Sequence, residues 1–241
     1  MFTLRNGKQG TTAFTAKANA GALELDIYDA IGADFFGDGI TASSVSDAIK
    51  AAGKFSSVAV NINSPGGSLF DGVAIYNVLK ACGVPVNVNV VGMAASAASL
   101  IAMAGDTITM QLGTQLMIHR AMAMAAGFSD DMRKMAETLD SVSASAADIY
   151  VAKTGMSKDA VLALMEAETW MNPEEAVAQG FATSVSDQAK AVSNSFNLSL
   201  FKNTPEALKV VAEVEPPSAD YTEDVLLPIL KKRLEILKRS N

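Results

Sequence analysis

Residues 57–63, SVAVNIN, place Val58, Val60 and Ile62 at every second position, the period of a strand whose two faces meet different surroundings. The same period returns at Val86, Val88 and Val90 against Asn87 and Asn89, and in shorter form over 12–18, 22–28 and 107–110. Between these runs the spacing widens. Val45, Ala48, Ile49 and Ala52 recur at helical intervals after the capping candidates Thr41, Ser43 and Ser44, and Gly53 ends the run. A second helix passes through Val73, Tyr76, Asn77 and Lys80, and a third, built of small residues, spans 94–104. Strand, turn and helix repeated in this order form a crossover series, so the pattern predicts an α/β fold with largely parallel pairing. The most membrane-like stretch, 84–105, is interrupted by Pro85, Asn87, Asn89 and Gly92. A strand followed by a small-residue helix accounts for it, and no membrane contact is expected.

Residues 129–153 contain neither Pro nor Gly, open on Ser129, Asp130 and Asp131, and stop at Thr154-Gly155, which predicts one long helix. Met132, Met135, Leu139, Val142, Ala146, Ile149 and Tyr150 make a single stripe along it. Core packing is the ordinary use of such a stripe. A subunit interface is the other, since a helix this long in a small α/β domain can project from its sheet. A shorter helix follows over 157–167 with Ser157 as its cap. Asn172-Pro173-Glu174-Glu175 then supplies an N-cap, a Pro at the first helical position and a capping-box Glu, and Gln179-Gly180 ends that helix. Past Asp187 the character turns polar. The expected division is a divergent N-terminal segment over 1–20, a domain over 21–187, and a linker with an amphipathic tail over 188–241. In that tail Ile229, Leu230, Leu234 and Leu237 share one face, which suits a solvated helix and a docking helix equally.

Charge and composition narrow the chemistry. The 241 residues carry 19 Lys and Arg against 26 Asp and Glu, a net charge of −7, with one histidine and one cysteine. A zinc site built on His and Cys clusters lacks its ligands, and Cys82, expected as a buried bystander, has no partner for a disulfide within the chain. Nucleic-acid binding is disfavoured without clustered Lys and Arg. The basic residues gathered in 231–239 suit an acidic partner instead. No phosphate-binding Gly-x-x-x-x-Gly-Lys-Ser/Thr run occurs, so no ATP is used by this chain and no cofactor is expected. Residues 1–10 have no apolar core of a secretory signal, and a cytoplasmic location is expected.

Two small-residue turns stand where a strand hands over to a helix: Asn63-Ser64-Pro65-Gly66-Gly67, and Gly92-Met93-Ala94-Ala95-Ser96-Ala97-Ala98-Ser99. Paired glycines let backbone approach a ligand, and a helix start offers free N–H groups with positive partial charge. A tight turn or a phosphate cradle uses the same glycines, and a serine at a helix start is ordinarily a cap. A serine nucleophile needs a base, and only His119, at the end of the apolar run Leu116-Met117-Ile118, is available. A buried structural histidine is the plain alternative. The order of these elements excludes the α/β-hydrolase pattern, which needs Gly-x-Ser-x-Gly and an acid ahead of its histidine.

Asn63-Ser-Pro-Gly-Gly67, Val91-Gly-Met-Ala-Ala-Ser-Ala97, Met117-Ile-His119 and Glu174-Glu-Ala-Val-Ala-Gln-Gly180 together resemble the Clp protease proteolytic subunit family of serine peptidases. The likeness runs from about Leu23 to Asp187, and within the family it is greatest to phage and prophage members that mature capsids. The resemblance implies a spiral of repeated β-β-α units, shared with crotonases, with a long projecting handle helix. It implies Ser96 as nucleophile, His119 as general base, and the backbone N–H groups of Gly67 and Ala97 as the oxyanion hole. The family usually has Met where Ala97 stands, which leaves the backbone donor in place. The family's aspartate falls on Glu168, one methylene longer, with Glu166 the alternative. By the same resemblance the substrate is a peptide or protein, and the chain is a homo-oligomer of seven-membered rings, single or paired, with 129–153 interleaving between rings. The approach 127–131 departs from the family pattern, so ring pairing can differ. A capsid or scaffold protein and an ATP-driven unfoldase are the further partners it suggests. The competing readings are a catalytically silent assembly subunit, a crotonase-like acyl-CoA enzyme and a Ser-Lys peptidase.

Overall fold

The alternating runs become the central strands of a nine-stranded sheet. The computed structural model describes residues 2–5, 12–19, 21–34, 37–187, 196 and 198–209. In chain order they form β1 (Phe2–Arg5), β2 (Thr12–Asn19), β3 (Ala22–Ile27), the short pair β4 (Ala33–Asp34) and β5 (Gly37–Asp38), α1 (Ala42–Ala52), β6 (Ser57–Ser64), α2 (Leu69–Lys80) and β7 (Val86–Ala95). There follow α3 (Ala97–Ala102), β8 (Thr107–Gln111), β9 (Gln115–Ile118), α4 (Ser129–Thr154), α5 (Lys158–Glu166), β10 (Thr169–Met171), α6 (Pro173–Ala178), β11 (Ser184–Ser186) and α7 (Glu206–Lys209). The sheet runs β1-β2-β3-β6-β7-β8-β11, with β9 joined to β7 and β10 to β9. From β3 through β6, β7 and β8 to β11 every pairing is parallel, while β1, β2 and β3 pair antiparallel. The α/β class expected from the pattern is the class observed, and β1 and β2, from the stretch before residue 21, extend the same sheet.

Leu23, Leu25 and Ile27 on β3, Val58, Val60 and Ile62 on β6, and Val86, Val88 and Val90 on β7 are all buried in one cluster with Ile75, Leu79, Leu100 and Ile101 from the helices above. Each such side chain contributes roughly 1.5–3 kcal/mol by leaving water, which is why the two-residue period is kept so strictly here. The caps follow the sequence closely. Thr41 accepts from Ser44 N–H at the start of α1, Ser157 from Ala160 N–H at α5, and Asn172 exchanges bonds with Glu175 at α6.

Two expectations change in the structure. The helix expected over 94–104 starts only at Ala97, because β7 continues as strand through Ala95. The register shows how: Ile62 faces Val90, but Ser64 faces Ala94, so the β7 side carries extra residues at Val91–Met93. Asn63 fills that bulge. Its buried side-chain Oδ1 accepts from Met93 N–H at 3.1 Å, and it packs so close to Gly92 that a Cβ there would meet it at 2.3 Å. Beyond the bulge β7 leaves β8 and pairs with β9 instead.

The second change concerns α4. Its stripe is buried only in part: Ala146 and Tyr150, with Ala147 beside them, are buried, whereas the first half, with Met132, lies largely in the open. The buried Tyr150 hydroxyl reaches Ser99 Oγ at 2.7 Å and ties α4 to α3. The N-cap is Phe128 rather than Ser129, with Asp131 accepting from its N–H, and Gly155 closes the helix in the left-handed conformation. Cys82 is half-buried rather than buried, with its thiol pushed up by burial. Among the described residues no helix is long and apolar enough to cross a membrane. The amphipathic tail expected after residue 228 and its basic cluster lie outside the described residues.

Candidate active site

The partner switch of β7 builds the site. In its last three residues β7 lies parallel to β9, with Ala95 opposite Met117, and β9 lies antiparallel to β10, with Ile118 opposite Thr169. One residue beyond each paired end stand Ser96, His119 and Glu168. Three distant parts of the chain are therefore brought together by strand register alone, at one edge of the sheet.

Ser96 occupies the turn between β7 and α3 with φ 54° and ψ −125°, a left-handed backbone that costs a non-glycine residue about 1–3 kcal/mol. Its N–H donates to Met117 O at 2.9 Å, which holds the turn against β9. Its side chain caps nothing; Oγ instead lies 2.7 Å from His119 Nε2. With the ring proton on Nδ1, the hydroxyl donates to Nε2, the arrangement that prepares an alkoxide. Ser99 Oγ, from the first turn of α3, donates back to Ser96 O at 2.6 Å and ties the helix start to the turn. Burial lowers the pKa of His119, and the negative charge of Glu168 works against that shift. A neutral imidazole, ready to take a proton, is the resulting state near neutral pH.

Beyond β6, Gly66 approaches Ser96 and Gly67 approaches Ile31. A Cβ on Gly66 would sit 2.7 Å from Ser96 Cβ and 2.8 Å from Ala97 N, and one on Gly67 would sit 2.2 Å from Ile31 O. Both have positive φ, 89° and 144°, so no other residue fits either place. Ile31 N–H donates to Gly66 O and Ser68 N–H to Ile31 O, the two bonds of a parallel bridge that turn Gly67 N–H away from Ile31. Ala97 N–H opens α3 directly after the serine. The two turns touch where Gly66 packs on the backbone of Ala95, Ser96 and Ala97.

Glu168 follows the C-terminal turn of α5 with φ 48°, and its N–H donates to Met165 O. It is half-buried, while Glu166 is exposed and lines a surface hollow with Arg120 and Asp140. The structure therefore brings Glu168, not Glu166, to the histidine. Its carboxylate does not bond the imidazole. Oε1 accepts from Asn203 N–H at 2.6 Å and makes a long 3.5 Å contact with Trp170 Nε1, and Oε2 accepts from Lys202 N–H at 3.0 Å. Phe201 stacks edge-on against both His119 and Trp170 at 5.6 and 5.8 Å.

Sequence reasoning missed three contributors. Asn63 continues the polar alternation of its strand, so nothing in the sequence marks it as the residue that fills the β7 bulge. Tyr150 and Ser99 support the serine turn through a bond that no spacing reveals. The segment around Phe201 was read as linker, although Phe196, Leu198 and Phe201 are large apolar residues in a polar stretch. Among the described residues no group of three His, Cys, Asp or Glu could hold a metal ion.

The family model described as Clp protease matches residues 42–189, which include all five site positions. The ATP-dependent Clp protease proteolytic subunit of Deinococcus radiodurans is 35% identical over 131 residues, 54% of this chain and 64% of that protein. Its counterpart in Pleurastrum terricola is 34% identical over 124 residues, 50% of this chain and 63% of that protein. Subunit 2 of the same name in Chlamydia trachomatis is 30% identical over 135 residues, 55% of this chain and 66% of that protein. The chain thus spans just under two thirds of the length of each of these relatives. The family match takes in more than half of the sequence, and the chain belongs to the Clp protease family.

Proposed function

We propose that this chain is a serine endopeptidase acting by acyl transfer. The observation that carries the reading is the 2.7 Å approach of Ser96 Oγ to His119 Nε2 at a strained strand-to-helix turn. His119 takes the hydroxyl proton as Ser96 attacks a peptide carbonyl. Gly67 and Ala97 N–H groups receive the oxygen as it becomes negative, and His119 returns the proton to the leaving amine. Water, deprotonated by the same imidazole, then releases the acyl group. Glu168 is the carboxylate within range to orient His119.

Membership of the Clp protease family supports a protein or peptide as substrate and an oligomeric ring as the working form. Maturation of capsid or scaffold proteins in phage assembly is the finer role, resting on the sequence resemblance alone. The reading is tested by a fluorophosphonate probe and a set of short peptide esters. Labelling at Ser96, lost in Ser96→Ala and His119→Ala while the fold is kept, is the expected result. Undiminished turnover by Ser96→Ala would sink it. One observation favours a second reading, a catalytically silent assembly subunit: the carboxylate of Glu168 is engaged elsewhere than at the imidazole. A crotonase-like acyl-CoA enzyme has no use for the Ser96–His119 pair, and absence of labelling would be its mark.

A further inference from the structure

Residues 196 and 198–208 lie against the Ser96–His119 edge of the sheet and fasten there. Leu198 is buried, and with Phe196, Phe201 and Leu208 it forms a small apolar cluster on Met93, Ala95, Met117 and Trp170, separate from the main core. Met93, Ala95 and Met117 belong to the paired ends of β7 and β9 that carry Ser96 and His119. The chain then turns at 199–203, with Phe201 N–H donating to Leu198 O and Thr204 Oγ donating to Leu198 O and Phe201 O. That turn aims two successive amides, of Lys202 and Asn203, at the two oxygens of Glu168, and Asn203 Nδ2 donates to Ala167 O at 2.8 Å.

The consequence for the histidine is direct. Its ring has one hydrogen bond among the described residues, to Ser96, and the carboxylate nearest in charge spends its close bonds on backbone donors. A Ser-His pair whose carboxylate does not orient the imidazole lacks the interaction that fixes the working tautomer and stabilises the imidazolium. Carboxylate bonds to two amides are charge-assisted and strong, so the captured position is a stable one. Glu168 nevertheless has three rotatable side-chain bonds, so release of the two amides leaves its carboxylate free to reorient toward the histidine whose charge it already influences.

We infer that the segment around Phe201 is an autoinhibitory strap, which holds Glu168 by the Lys202 and Asn203 amides and covers His119 with Phe201 until it is displaced. The inference rests on the serine endopeptidase reading and adds to it a built-in control. Glu168 acts through His119 as a positioning residue, and the strap withholds it. Displacing the strap frees the carboxylate and uncovers the apolar surface of Met93, Met117 and Trp170 in one step.

The test uses the full chain. Phe201→Ala with Leu198→Ala removes the apolar anchors, and Lys202→Pro separately deletes one amide donor while keeping every apolar side chain of the cluster. Trp170 is the only tryptophan, so its emission reports strap docking independently of any activity. Expected are a red shift of that emission for the anchor variant and faster fluorophosphonate labelling of Ser96 in both variants, at equal oligomeric state by light scattering. The gain is roughly ten-fold or more, well within the ~10⁴-fold that loss of the orienting carboxylate costs a serine protease. Adding Glu168→Gln to the anchor variant cancels the gain. Slower or unchanged labelling in the released variants overturns the inference, since the strap would then complete the site or be irrelevant to it. Unchanged Trp170 emission overturns it as well. If no variant labels although the emission shifts, the serine hydrolase reading fails, and the inhibitory role falls with it.

Discussion

Ser96 and Glu168 are the two non-glycine residues with positive φ among those described, and both stand where a strand end meets a helix end at the site. Strain placed there, rather than in the core, orients a hydroxyl and a carboxylate that an unstrained turn would direct elsewhere. The paired glycines are equally specific. Gly67→Ala drives a methyl into Ile31 O and turns the amide from its place, so kcat for a peptide ester should fall by roughly 10²–10³, the usual worth of one oxyanion donor. Circular dichroism should show the fold retained; a variant with full kcat would remove Gly67 from the mechanism. The histidine sets the pH profile. Only neutral His119 accepts the serine proton, and burial holds its pKa below the ordinary value of about 6.5, so the acid limb of kcat/KM should lie below that value. Glu168→Gln removes the charge that opposes the shift, and the limb of that variant should move further toward acid. A limb that moves toward neutrality instead would contradict the electrostatics described.

At the scale of elements, the bulge in β7 decides where the serine goes. Asn63→Ala leaves Met93 N–H buried without its acceptor, a loss of about 1–3 kcal/mol. Urea melts should register it as a lower midpoint at unchanged slope, with labelling of Ser96 slowed because β7 no longer meets β9 in register. Equal stability of Asn63→Ala and the parent would show the bond to be idle. This element also marks the limit of what was legible. Helices α1, α5 and α6 could be read because the cap and the stop are local: Thr41 and Gly53, Ser157, Asn172 with Glu175. The strands β3, β6 and the first half of β7 could be read because burial on one face enforces alternation. The continuation of β7 to Ala95 could not, since alanines and a glycine carry no period and their pairing with β9 is a tertiary fact. Ser96 and His119, implied by the family resemblance, lie within hydrogen-bond reach, and the Gly66-Gly67 turn packs through Gly66 on the backbone of Ser96 and Ala97. The bonds of Glu168 were hidden, because its partners are backbone amides of a segment whose own sequence has no regular period.

At the scale of the molecule, the first half of α4 projects by about 20 Å at 1.5 Å per residue, and it leaves apolar surface uncovered. Met124 is 100% exposed, Phe128 86% and, facing α4 across a shallow groove, Phe70 72%. A patch of that kind suits contact with other copies of the chain, consistent with the ring proposed above. Phe128→Asp should shift the mass measured by light scattering toward smaller species at equal concentration, and an unchanged mass would exclude this face from assembly. The strand register that assembles the site has one more consequence, and it concerns time. Glu168 leaves the ribosome about fifty residues after His119, an interval of roughly 3–10 s at ordinary elongation rates, and the segment that captures it comes later still. A growing chain can fold β7 onto β9 and bring serine to histidine while its acid is not yet synthesised. Once β10 has closed, the captor is only some thirty residues behind, so the interval in which a nascent chain holds serine, histidine and an unrestrained Glu168 lasts roughly 2–7 s.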